Sequence, residues 1–65
     1  MSQRIFATAI DAAKSALRNG QDHVVVYGVR LLLEHVRGGE YRVMASTGEI
    51  ARLVRKGAVI RALVA

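Results

Sequence analysis

The 65-residue sequence contains no cysteine, no proline and no tryptophan, and its aromatic residues are two tyrosines and one phenylalanine. Without cysteine, neither disulfides nor thiolate metal sites can form, which fits a reducing compartment, and we expect a cytoplasmic protein. Arg4, Asp11 and Lys14 interrupt the N-terminal region, so no signal peptide is visible. No apolar run approaches the roughly 18 residues that a membrane span needs.

A chain of this length forms at most one domain, and we predict a single small domain over residues 1–65. Such a domain buries only about 60% of its unfolded surface, and small domains commonly gain stability from disulfides, metals or oligomerisation. The two histidines, His23 and His35, lack the ligand spacing of zinc sites. We therefore expect a homo-oligomer that holds no metal and no other cofactor.

One pattern occurs three times in the chain: an amphipathic stretch, basic residues, glycine, and then a run rich in β-branched residues. The glycines of the three copies end the segments Arg18-Asn19-Gly20, Arg37-Gly38-Gly39 and Arg55-Lys56-Gly57. Basic residues followed by glycine are typical of helix C termini, and a compact apolar run after them indicates a buried strand. The pattern thus predicts three helix–strand units.

The predicted helices span residues 2–19, 29–37 and 47–56, and the predicted strands span 23–27, 41–45 and 58–64. Val29, Leu32, Leu33 and Val36 have helical spacing, and Ser46 with Glu49 forms a capping box before the third helix. The order α-β-α-β-α-β favours a small α/β fold with a three-stranded, mainly parallel sheet. The two edges of such a sheet are unguarded by proline, and one of them is a natural dimer seam.

A second interpretation keeps the N-terminal helix and treats the rest of the chain as antiparallel strands. Gly38-Gly39, Thr47-Gly48 and Lys56-Gly57 are then hairpin turns. One helix followed by five short strands resembles the small Sm/Hfq RNA-binding barrel, and Arg55-Lys56-Gly57 is similar to that family's basic-glycine turn before the last strand. The glycine and acidic residues of the family's first motif are not in register in this sequence.

Ten basic residues oppose five acidic ones, and eight of the ten are arginines. Arginine suits phosphate and carboxylate, so we predict a small non-catalytic protein that binds nucleic acid, either RNA or DNA. The predicted contact is the basic face of the third helix, formed by Arg52, Arg55 and Lys56. Arg61, on the strand that follows, is predicted to belong to the same basic patch. A competing explanation is that cations such as Arg18, Arg37, Arg55 and Lys56 stabilise the dipoles of the helices that they end.

Two further hypotheses concern other parts of the chain. The turn formed by Ser46, Thr47 and Gly48 precedes the third predicted helix, whose free N–H groups favour binding of an anion such as phosphate. An exposed edge strand would suit a protein-interaction module or regulatory subunit. No nucleophile, base or paired-carboxylate pattern is present, and we expect no enzymatic activity.

Overall fold

The computed structural model describes residues 3–63, which form one helix followed by five strands in a single curled sheet, a half-barrel. All paired strands are antiparallel, and their order in the sheet is the order in the chain. The elements are α1 (Gln3–Arg18), β1 (His23–Val26), β2 (Val29–Arg37), β3 (Glu40–Ala45), β4 (Gly48–Lys56) and β5 (Val59–Leu63).

The predicted α/β fold with a three-stranded, mainly parallel sheet is wrong. Residues 29–37 and 47–56 were expected to be helices, but they are the strands β2 and β4. The antiparallel interpretation fits better, and the turns that it predicts at Gly38-Gly39, Thr47-Gly48 and Lys56-Gly57 lie between strands or at their ends. Ser2 and Val64, which end the outermost predicted elements, lie outside the described residues.

The first hairpin explains why β2 is extended. Tyr27 and Gly28 have φ angles of +51° and +75°, as in the type I′ turn that matches the twist of two antiparallel strands. Along β2, Leu31 and Leu33 are buried, whereas Leu32 between them is 48% exposed. This alternation has the two-residue period of a strand, and the run of three leucines satisfied the helical period as well.

Helix α1 agrees with the sequence-based prediction, and so does the glycine that ends it. The N–H of Gln21 donates to the Ala16 carbonyl at 2.9 Å, and the N–H of Gly20 donates to the Leu17 carbonyl at 3.2 Å. Together with the φ of +72° at Gly20, these bonds form a Schellman motif. Arg18 is the only basic residue in the last turn of the helix.

The hydrophobic core lies between α1 and the face of the sheet that we call the inner face. Helix α1 packs against β1 and β2. The fully buried side chains at the centre of the sheet are Leu31, Val43 and Leu53, one from each of the three central strands. Helix residues complete the core through Ala9, Ile10, Ala13, Ala16 and Leu17. The opposite, outer face of the sheet therefore remains free for polar chemistry.

Candidate nucleic-acid interface

Charged side chains occupy the middle of the outer face. Strand pairing places Glu34 of β2 directly opposite Arg42 of β3, and Arg42 opposite Arg52 of β4. Two arginines directly opposite each other on a sheet repel, so this arrangement requires compensating anions nearby. Three glutamates supply them.

Six side chains of alternating charge form what we call the outer-face ion-pair chain. Their order is Glu34, Arg42, Glu49, Arg52, Glu40 and Arg37. Arg52 contacts Glu40 at 2.7 Å and Glu49 at 3.3 Å, and Arg37 contacts Glu40 at 3.4 Å. Three positive and three negative charges cancel, so the centre of the outer face is electrically neutral.

Arg52 makes the most contacts within this chain. Its Nη1 donates to Glu40, and its Nε lies 3.3 Å from both carboxylate oxygens of Glu49. The hydrogen bond to Glu40, followed by the one to Glu49, raises the pKa of Arg52 above its usual value. The Nε of Arg42 is shielded from solvent and has no hydrogen-bond partner among the described residues, with Glu49 Oε1 3.9 Å away, while Nη2 of the same guanidinium donates to Glu34. Both guanidinium groups are therefore committed to internal partners.

The ion-pair chain uses all three glutamates of the sequence, and Asp22 pairs with His23. Within residues 3–63, the basic side chains that make no ion pair are Arg4, Lys14, Arg18, Arg30, Arg55, Lys56 and Arg61. Helix dipoles do not account for Arg37, Arg55 and Lys56, because these residues end strands rather than helices. On the hairpin β4–β5, Arg55, Lys56 and Arg61 therefore have no acidic partner among the described residues.

Arg55, Lys56 and Arg61 form what we call the cationic hairpin, since all three belong to β4 and β5. Lys56 lies opposite Val59, and Arg61 lies opposite Val54, which makes Lys56 and Arg61 diagonal neighbours on the outer face. Arg55 alternates to the other face, and its Nε donates to the Gly57 carbonyl at 3.2 Å. The three cations therefore lie near the end of one hairpin, two on its outer face and one on the opposite face.

An open groove of about 440 Å³ runs along the outer face of this hairpin. Its lining residues are Val54, Lys56, Val59, Arg61 and Leu63. Val59 and Leu63 are 57% and 55% exposed, so the groove has apolar walls beside two free cations. Such a surface can hold an anionic chain whose charges alternate with less polar parts.

The structure separates the four predicted nucleic-acid contacts, of which Arg52, Arg55 and Lys56 were expected on one helix and Arg61 on the strand after it. Lys56 and Arg61 share the outer face of the hairpin, Arg55 lies at the same end on the opposite face, and Arg52 belongs to the ion-pair chain. The predicted helix face was wrong because its spacing was that of a helix, whereas alternate residues share a face in a strand. The sequence analysis missed the ion-pair chain, because strand pairing joins its separate segments, although Arg37–Glu40 and Glu49–Arg52 are each three residues apart in sequence.

The predicted anion site at Ser46, Thr47 and Gly48 depended on a helix after this turn, and the structure has the strand β4 there instead. Ser46 and Thr47 connect β3 to β4, and Gly48, with a φ of +123°, begins β4. No helix follows within this segment, so it offers neither a capping box with Glu49 nor the free N–H groups of a helix N terminus. The serine, threonine and glycine serve a tight turn between two strands.

The two histidines make local hydrogen bonds. His23 Nδ1 lies 2.9 Å from Asp22 Oδ1, and this hydrogen bond holds the pKa of Asp22 below its usual value. His35 Nε2 lies 2.7 Å from the Gly38 carbonyl oxygen, and its ring is 5.0 Å from that of Tyr41. Among residues 3–63, no three His, Cys, Asp or Glu side chains are grouped so that they could hold a metal ion.

Comparison of the chain with known protein-family models, curated proteins and solved structures gives no significant match. No helix in the described part of the chain is long and apolar enough to cross a membrane.

Proposed function

We propose that this protein is a small non-catalytic module that binds nucleic acid through the cationic hairpin. The observation that supports this proposal is the unequal use of charge on the sheet. Glutamates neutralise Arg37, Arg42 and Arg52, whereas Arg55, Lys56 and Arg61 have no ion-pair partner among residues 3–63. Free cations clustered on one hairpin favour phosphate contacts, because each contact releases condensed counterions from the nucleic acid.

The side chains around the cations favour contacts with the phosphate and sugar backbone over reading of bases. None of the three aromatic residues, Phe6, Tyr27 and Tyr41, lies on β4 or β5. Stacking of bases on aromatic rings is the usual means of holding single strands firmly. We therefore expect a salt-dependent affinity with little preference for sequence.

The test measures binding of a labelled single-stranded RNA, the DNA of the same sequence and the DNA duplex, each at several salt concentrations. Three phosphate contacts predict a plot of log affinity against log salt with a slope of about −2 to −3. The double variant Lys56→Glu/Arg61→Glu is expected to lose at least about tenfold in affinity at low salt. Absence of binding to all three probes, or binding that does not change with salt, would overturn the proposal.

Two control variants separate the hairpin from charge in general. Arg4→Glu/Lys14→Glu makes the same change in net charge on α1, on the other side of the sheet, and is expected to change affinity much less. Arg52→Gln removes a cation of the ion-pair chain and is expected to leave the salt slope unchanged, whereas Arg61→Gln reduces it by about one. Equal losses in the hairpin and helix variants would contradict a localised interface.

A further inference from the structure

We infer that β1 pairs edge to edge with β1 of a second copy of this chain, which joins two five-stranded sheets across a twofold axis at Val24. In the sheet that residues 3–63 form, strand β1 lies at one edge, so one side of its backbone has no partner strand there. An unpaired strand edge is a template for a further strand. This inference concerns the edge opposite the cationic hairpin and does not depend on the proposed function.

Hydrogen bonding within the chain identifies which backbone groups of β1 point outward. The N–H of Leu33 donates to the Asp22 carbonyl at 2.7 Å, so the backbone carbonyl of Asp22 points towards β2. Because the hydrogen-bonding direction alternates along an antiparallel pair, the backbone N–H and C=O groups of Val24 and Val26 also point towards β2. The N–H and C=O groups of His23 and Val25 therefore point to the free edge.

These outward groups fit a second copy in one register. If Val24 faces Val24 of the other copy, then His23 of each chain pairs with Val25 of the other. Each of these two pairs can exchange both of its N–H···O=C bonds. Centring the axis on Val25 instead would pair His23 with Tyr27, which lies in the turn with a φ of +51° and cannot continue the strand.

Charge decides which edge a second copy can use. Strand β1 contains no lysine, arginine, aspartate or glutamate, and Asp22 before it is paired with His23. At the other edge, the corresponding symmetric pairing of β5 about its central residue would place Arg61 opposite Arg61, which makes no ion pair with any described residue of its own chain. Like charges directly opposite each other are destabilising, so symmetric pairing favours β1 over β5.

The side chains near β1 also favour a second copy of this chain over a charged partner. The Val25 side chain belongs to the edge strand itself and is 62% exposed. A chain of 65 residues buries little surface by itself, so covering Val25 on association adds stability.

The natural absence of cysteine allows a direct test by cross-linking, because each variant carries a single thiol. In the proposed register, Val24 of one copy and Val24 of the other form a non-hydrogen-bonded pair. The Cα atoms of such a pair are about 4.5 Å apart, which is within the range of a disulfide. Val24→Cys is therefore expected to form a covalent dimer on mild oxidation. Ala62→Cys is the matched control, since Ala62 is also half-buried on the inner face of an edge strand.

A second variant tests the hydrogen bonds without a cross-link. Val25→Pro removes an N–H that points to the free edge, so the β1–β2 ladder keeps its bonds while the seam loses two. Light scattering is expected to give two copies of the 7.1 kDa chain for the wild type and one copy for the variant, with similar circular-dichroism spectra.

Three results would overturn the inference. These are a monomeric wild type at every concentration tested, the absence of a Val24→Cys dimer, and equal cross-linking of Val24→Cys and Ala62→Cys. If Val25→Pro does not fold, the two cysteine variants still decide the question. Nucleic-acid binding by a monomeric wild type would reject the seam and leave the cationic hairpin intact, so the two proposals can fail separately.

Discussion

At the scale of single residues, Gly39 is distinguished by how closely another backbone approaches it. A Cβ atom added at Gly39 would collide with the carbonyl oxygen of Arg55. The Gly39 carbonyl also accepts the N–H of Arg55 at 2.8 Å, which fixes the two chains together. Gly39 is therefore required by space, whereas Gly38 beside it adopts a φ of +45° in open surroundings.

We expect Gly39→Ala to destabilise the protein by about 1–3 kcal/mol, because the neighbouring backbone of β4 must move to make room. Gly38→Asn is the control, since asparagine tolerates positive φ and its side chain meets nothing nearby. Its cost is expected to be less than about 0.5 kcal/mol. Urea unfolding followed by circular dichroism measures both, and an equal or smaller cost for Gly39→Ala would contradict the close approach.

The charged residues show a limit of sequence analysis at this scale. The excess of cations was correctly taken as a feature to be explained, but Arg52 and Arg55 could not be assigned different surroundings from their positions in the chain. Glu40 lies on β3, and the register of β3 with β4 brings it to Arg52, whereas Glu49 lies three residues before Arg52 on β4 itself. Lys56 and Arg61 were named among the candidate residues and remain so, although Lys56 lies on a strand rather than on the predicted helix.

At the scale of secondary-structure elements, β2 provides the sharpest contrast between the two possible conformations. A helix over residues 29–37 would bury Leu32 and expose Leu31, as the spacing from Val29 requires. The strand does the opposite, because Leu31 is 2% exposed and Leu32 is 48% exposed. Two adjacent leucines therefore report on the conformation of the whole element.

We expect Leu31→Ala to destabilise the protein by about 2–5 kcal/mol, or to prevent folding, because it leaves a cavity in the core. Leu32→Ala removes a half-exposed side chain and is expected to cost less than about 1 kcal/mol. Thermal and urea unfolding of the two variants give the comparison. A larger loss for Leu32→Ala would favour a helix in this segment.

The reason that the helices were predicted wrongly lies in signals that helices and hairpins share. A basic residue followed by glycine ends a helix, as at Arg18 and Gly20, but the same pair also leads into a two-residue hairpin loop. Only α1 is long enough for its periodicity to be unambiguous. In the short segments after it, strand pairing decided the conformation.

At the scale of the whole molecule, the two proposals place different functions at opposite edges of the sheet. Pairing through β1 would put the seam at the centre of a ten-stranded assembly (five strands from each of two chains) and the two cationic hairpins at its outer edges. A nucleic acid long enough to reach both hairpins would then bind a dimer at two places. Linked contacts of this kind strengthen binding without any new contact.

We therefore expect wild-type affinity to rise by about tenfold or more between a short RNA that contacts one hairpin and a long RNA that contacts both. Val25→Pro should retain the affinity for the short RNA and lose the gain with length. Fluorescence anisotropy with RNAs of increasing length measures both proteins. The same gain with length in both proteins would show that the two hairpins do not act through the β1 seam.

The sequence by itself determined the helix α1 with its glycine stop, the positions of the turns and the excess of positive charge. These features depend on local periodicity, on glycine conformation and on composition, which act over a few neighbouring residues. Tertiary structure alone decided that residues 29–37 and 48–56 are strands and that Arg52 is neutralised, whereas Arg61 makes no ion pair within the described part of the chain. Those outcomes depend on strand register, which brings together residues distant in sequence, and no local pattern encodes it.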